Sequence, residues 1–150
     1  MPPNTLFASS NLATSTAAAV AIAGLSSDSQ KASFFVANYL KGFGYRIIPV
    51  NPSAKEILGE RYYPDLAGFH GPVDVVDIFR PAAECPVIVS HAIRIGAKAV
   101  WMQLRIVSLE AAGAARVAGL DIVVDRCIKM KHGRYDGGQH DPIDTEGYFC

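Results

Sequence analysis

Short apolar runs alternate with helical patterns along almost the whole chain, and no other feature narrows its folding options so far. The runs fall at residues 18–24, 46–50, 73–79, 99–104 and 121–125. Between them, residues 33–42, 82–95 and 108–118 carry apolar side chains at helical spacing. Strands alternating with helices of this length imply βαβ units, a parallel sheet and right-handed crossovers. The runs are nearly continuous in apolar character, as expected when helices cover both sheet faces. The pattern therefore predicts an α/β domain, a three-layer sandwich around a mostly parallel five-stranded sheet. Gly96 and Gly119 stand where helix C-caps belong, and Gly42 or Gly44 closes the first helix. Residues 53–72 interrupt the alternation with Gly, Pro and Tyr, and predict one helical turn over 54–58 and a short edge strand around 61–63. The domain is expected over 17–134, flanked by an N-terminal arm at 1–16 and a polar C-terminal tail at 135–150.

The first βα unit points to an anion. A run of small apolar residues passes into Gly24-Leu25-Ser26-Ser27-Asp28-Ser29-Gln30-Lys31-Ala32-Ser33 and then a helix, with Ser33 as the expected N-cap. A buried strand, a Gly turn and a helix start form a phosphate cradle, because free N–H groups and the helix dipole face the anion. The turn is neither a full G-x-G-x-x-G nor a Walker motif, and such turns also arise merely for turning and capping. Lys31 and Ser33 add a cation and a hydroxyl at its mouth.

About 20 residues further on, where NAD sites place a carboxylate for the ribose 2′-hydroxyl, this chain has Asn51-Pro52 followed by Lys55. A neutral amide beside a cation suits a nucleotide with an extra ribose phosphate, which NADP and coenzyme A both carry. Asn-Pro also makes turns without any ligand. At the end of the third run, Phe79-Arg80-Pro81 puts an aromatic and a cation at the sheet's carboxyl edge. Ligands of open α/β sheets bind there, and Arg pairs phosphates bidentately. Gln103 ends the fourth run and is expected to face the same ligand.

Composition excludes several functions. Half of the 150 residues are apolar and the formal net charge is zero, so neither disorder nor a broad nucleic-acid surface is expected. No apolar stretch reaches the ~18 residues of a membrane span. The first residues lack the Lys and Arg of a leader peptide. Cys85, Cys127 and Cys150 show no paired spacing, which suits a reducing cytoplasm rather than a disulfide framework. The histidines are scattered and give no metal site. Cys127 with His132 is read as a packing thiol rather than a nucleophile. No catalytic residue is assigned, because no nucleophile or base is grouped with a second group that would hold it.

These pieces together resemble a known family. Gly24-Leu25-Ser26, Lys31 with Ser33, Pro49-Val50-Asn51-Pro52, Val73 through Arg80, and Asp125-Arg126-Cys127 are similar to the small stand-alone CoA-binding proteins. Those in turn look like the nucleotide-binding domain of the succinyl-CoA synthetase alpha subunit. The resemblance implies a Rossmann-like fold with coenzyme A over the carboxyl edge of the sheet. It places Gly24, Leu25, Ser26 and Lys31 at the phosphates, Asn51, Pro52 and Lys55 at the adenosine end, and Phe79, Arg80 and Pro81 on the rest of the nucleotide. Lys31 stands where many relatives carry Arg. The expected function is binding of coenzyme A or acyl-CoA without catalysis, with a small molecule as the partner rather than nucleic acid or membrane. A homodimer or a further protein partner is compatible with it. The alternative is an NADP-type oxidoreductase or a component of a CoA-dependent ligase. The first needs a substrate domain, and the second a phosphohistidine domain and a nucleotide-grasping partner.

Overall fold

The computed structural model describes residues 18–135. The arm expected over 1–16 and the tail from 136 onward lie outside the described residues. Strands β1 (Ala19–Ala23), β2 (Arg46–Val50), β5 (Val75–Ile78), β6 (Ala99–Met102) and β7 (Asp121–Val123) form one parallel sheet in the order β2-β1-β5-β6-β7. Alternation along each strand sends side chains to opposite faces. In β1, Val20 and Ile22 join one core layer, while Ala19 and Ala21 join the other.

Each layer is closed by a pair of helices. On the first face lie α1 (Ala32–Gly42), through Val36, Ala37 and Leu40, and α4 (Ile128–Tyr135), through Ile128. On the second lie α2 (Cys85–Arg94), through Val89 and Ala92, and α3 (Leu109–Val117), through Ala111 and Ala115. The crossover from β1 thus packs on one face and the crossover from β5 on the other. Their carboxyl ends diverge at the boundary between β1 and β5, the switch point where open α/β sheets bind ligands.

Four local expectations are corrected. First, Lys31, not Ser33, is the N-cap of α1. Second, residues 54–58 form no helical turn. They enter a hairpin of β3 (Glu56–Ile57) and β4 (Glu60–Arg61), whose two-residue turn has φ 50° at Leu58 and 78° at Gly59. Two left-handed residues match the twist of a hairpin and cannot continue a right-handed helix. Third, the helix expected from residue 82 starts as a 3-10 turn at Ala82–Glu84, and the α-helix begins at Cys85. Pro86 has no N–H to donate and fits only a helix's first turn. Fourth, α4 was not expected. Its N-terminus is capped from a distant strand end, by Gln103 Oε1 accepting the Ile128 N–H at 3.0 Å.

Candidate functional site

The carboxyl edge of the sheet is held by a small set of close contacts. Gly24 leaves β1 with φ +91°, and its N–H donates to the Val50 carbonyl at 2.8 Å, joining the tips of β1 and β2. A Cβ at this position would stand 2.7 Å from Arg80 Cδ and 2.8 Å from the Phe79 carbonyl oxygen. Only glycine permits that crossing of the β1 and β5 tips. Leu25 is fully buried, and its carbonyl accepts from Asn51 Nδ2 at 3.0 Å and from the Tyr62 hydroxyl at 2.9 Å.

The rest of the turn is stitched to itself. Ser33 Oγ accepts the Ser26 N–H at 2.9 Å, Ser26 Oγ accepts the Asp28 N–H at 3.0 Å, and Asp28 Oδ1 accepts the Gln30 N–H at 2.9 Å. The helix that follows has no side-chain cap and no carboxylate in its first turn. Lys31 is exposed there, and among the described residues neither Lys31 nor Lys55 makes an ion pair. A rigid loop leading to an open, positive helix start is the arrangement that takes an anion.

Beside it lies a cleft of about 470 Å³, within the range of small-molecule sites. Its walls are the tips of β1 and β2, the Pro64–Leu66 segment and one side of α2. Val50, Pro52, Leu66, Val87 and Ile88 make the lining largely apolar, and Asn51, Ser53, Asp65, Arg80, Glu84 and His91 supply its polar groups. That combination fits a planar, partly polar group such as a nucleobase with its sugar.

Of the predicted site residues, Gly24, Asn51, Pro52 and Arg80 line this cleft. Ser26, Lys31, Lys55, Phe79 and Pro81 lie outside its walls, with Lys31, Lys55 and Pro81 exposed. Leu25, Ser33 and Gln103 turn inward. Leu25 packs in the core, Ser33 ties the loop to the helix, and Gln103 caps α4 instead of facing a ligand. Asn51 acts as a brace: Nδ2 donates to Leu25, and Oδ1 accepts the Ser53 N–H at 2.9 Å. Glu84, Asp65, Ser53 and His91 were not singled out from sequence. Only Glu84 had a legible signal, its position four residues after Arg80.

That spacing is used. Arg80 Nε and Nη2 donate to the two Glu84 carboxylate oxygens at 2.9 and 2.7 Å. The hydrogen bonds to Arg80 lower the Glu84 pKa, and the same bonds raise that of Arg80. Arg80 is therefore not an unpaired cation awaiting a phosphate.

The remaining reactive groups are accounted for elsewhere. Cys127 is disulfide-bonded, contrary to the expectation of unpaired thiols, and its Sγ accepts the Met130 N–H. His132 Nδ1 meets the Tyr39 hydroxyl at 3.0 Å, within a cluster of rings from Tyr39, Phe43 and Tyr45. Asp77 sits in β5 between Ile22 and Trp101, fully buried, with no hydrogen bond to either carboxyl oxygen among the described residues. Burial pushes its pKa well above the usual carboxylate value.

The fold agrees with what comparison with known proteins finds. The CoA binding domain profile matches residues 18–133. The chain belongs to that CoA-binding domain family. A Bacillus subtilis relative, the uncharacterized protein YneT, is 33% identical over 113 residues, which cover 75% of this chain and 84% of YneT. The solved structure of cell-free ID.343 from Thermus thermophilus is 31% identical, with a TM-score of 0.81, covering 90% of this chain and 99% of that one. The dinucleotide-forming acetyl-coenzyme A synthetase 1 of Ca. Korarchaeum cryptofilum shares the fold, with a TM-score of 0.61 at 22% identity, over 70% of this chain and 25% of the synthetase. Among the described residues of this family member, no helix is long and apolar enough to cross a membrane, and no His, Cys, Asp and Glu group could hold a metal.

Proposed function

We propose that the chain binds coenzyme A or an acyl-CoA across the carboxyl edge of its sheet, as a binding protein without a reaction of its own. The observation that carries this reading is the uncapped start of α1, where Lys31 makes no ion pair among the described residues, next to a largely apolar cleft of nucleoside size. In this reading the diphosphate lies against the first turn of α1 and Lys31. The adenosine enters between Asn51-Pro52 and α2. Exposed Lys55, beyond the tip of β2, meets the ribose 3′-phosphate. Membership of the CoA-binding domain family supports the choice of nucleotide. So does the role of Asn51 as a brace, because the residue that follows β2 carries an amide and not the carboxylate that holds the 2′-hydroxyl of NAD.

The non-catalytic part of the proposal rests on the state of the candidate groups. Cys127 is disulfide-bonded, His132 is engaged by Tyr39, and Glu84 is engaged by Arg80. Calorimetry with coenzyme A, NAD and NADH tests the binding claim. Tighter binding of coenzyme A is expected, and tighter binding of NAD overturns it. Hydrolysis of acetyl-CoA by the purified protein above the buffer rate would overturn the absence of catalysis.

A further inference from the structure

The Arg80–Glu84 pair stands inside the cleft, and this placement has a consequence for affinity. Both residues line the cleft wall. The Arg80 stem runs against Gly24, closer than any side chain there would allow, so the backbone crossing and not Glu84 sets its path. The head is gripped side-on through Nε and Nη2, and Nη1 makes no hydrogen bond among the described residues. Both side chains are about half exposed, 46% and 47%, so they separate without opening the core.

We propose that Glu84 is an internal substitute for a ligand phosphate: it occupies Arg80 in the empty protein and must yield the guanidinium when a phosphate-bearing ligand enters. This inference rests on the coenzyme A reading above and adds a residue that limits affinity. The reason is competition. A carboxylate and a phosphate oxygen take the same fork of guanidinium donors, each through charge-assisted bonds. The carboxylate is tethered one helical turn away, so it competes at high effective concentration. The coenzyme A diphosphate carries two negative charges and more acceptor oxygens than one carboxylate, so it displaces the carboxylate at the cost of the exposed ion pair. Pairs of that kind are weak, so the latch lowers affinity without abolishing it. A residue that merely positioned Arg80 would have the opposite effect, because its removal would weaken binding.

The test is a double-mutant cycle by calorimetry with coenzyme A and with adenosine, using wild type, Glu84→Gln, Arg80→Ala and the double variant. Glu84→Gln is expected to tighten coenzyme A about three- to fivefold, within the range of an exposed pair, and to leave adenosine unchanged. In the Arg80→Ala background the same change is expected to shift affinity less than about twofold, since the competition is gone. Unchanged or weaker coenzyme A binding by Glu84→Gln overturns the latch, while binding by wild type leaves the coenzyme reading standing. An equal gain in both backgrounds also overturns it, because the effect is then simple repulsion between Glu84 and the ligand. Absence of coenzyme A binding by wild type and Glu84→Gln alike overturns both the latch and the reading it rests on.

Discussion

Two helix starts face the same edge of the sheet; neither has a side-chain cap or an acidic residue in its first turn, and they differ in what holds the cation beside them. The start of α1 follows a loop whose hydroxyls and carboxylate are spent on its own backbone, and the helix has neither a side-chain cap nor an acidic first turn. Its cation, Lys31, makes no ion pair among the described residues. The start of α2 follows a 3-10 turn; the carboxylate of its N-cap residue, Glu84, bonds no helix N–H and instead holds the cation of this side, Arg80, at 2.7 Å. A helix start acts as an anion site only while no residue of the chain supplies the anion. On the first side the cation is left open for a ligand, and on the second it is neutralised from within by Glu84. The cleft between them is therefore electrostatically asymmetric, with one cation open to phosphate and the other held on an internal carboxylate that a phosphate has to displace.

The harshest way to break this contrast is to disturb the point where the two sides touch. Gly24→Ala forces a Cβ to within 2.7 Å of Arg80 Cδ and 2.8 Å of the Phe79 oxygen, at φ +91°. The left-handed strain and the backbone clash together are expected to lower stability by about 2–4 kcal/mol. Urea unfolding measures it, and a loss below about 0.5 kcal/mol would mean that the two tips do not cross tightly.

Asn51→Asp probes the brace. The amide donates to the Leu25 carbonyl, and a carboxylate would point an acceptor at an acceptor. Stability should fall by about 1–3 kcal/mol, with no gain in NAD affinity. A variant that keeps its melting temperature and gains NAD binding would show that Asn51 reads the ligand rather than shaping the loop.

The asymmetry itself is measured by comparing two alanine variants. Lys31→Ala should weaken coenzyme A binding by about 1–2 kcal/mol, and Arg80→Ala by about half of that, because Arg80 exchanges one anion for another. The reverse order would mean that the α2 side carries the phosphates.

A separate effect isolates a pH background that lies under the β5 tip. Asp77 has its pKa raised by burial, so the folded protein holds this proton more tightly than the unfolded chain. The unfolded state then binds fewer protons, and stability falls as pH rises from the ordinary carboxylate value toward the raised one. Asp77→Asn should remove that slope, so its stabilising effect, about 1 kcal/mol, should be larger at pH 8 than at pH 4. Thermal unfolding at both pH values decides it. An equal effect at the two would show that Asp77 does not titrate in this way. Glu84 moves oppositely, held below its usual value by Arg80, so the latch persists until the solution is more acidic than an ordinary glutamate requires.

The apolar runs alone determined the sheet, its parallel sense and the flanking helices α1, α2 and α3, because burial on both faces writes itself as local hydrophobic periodicity. Polar residues at the edge were legible as well, in Lys31, Asn51 and Arg80, since a strand tip in this fold is a known place. Their states were not legible. That Asn51 braces Leu25, that Gln103 caps a helix 25 residues on, and that Ser33 faces the loop depend on which backbone groups fold alongside them. Helix α4 was missed for the same reason, its cap coming from another strand and its core contact resting on Ile128. The pairing of Arg80 with Glu84 lies between these cases. Its spacing is local, but only the approach of Gly24 to the Arg80 stem and the walls of the cleft make the pair a feature of the site. Periodicity is a property of neighbours along the chain, whereas the partner of a polar group is chosen by distance in space, and only the packed structure supplies that distance.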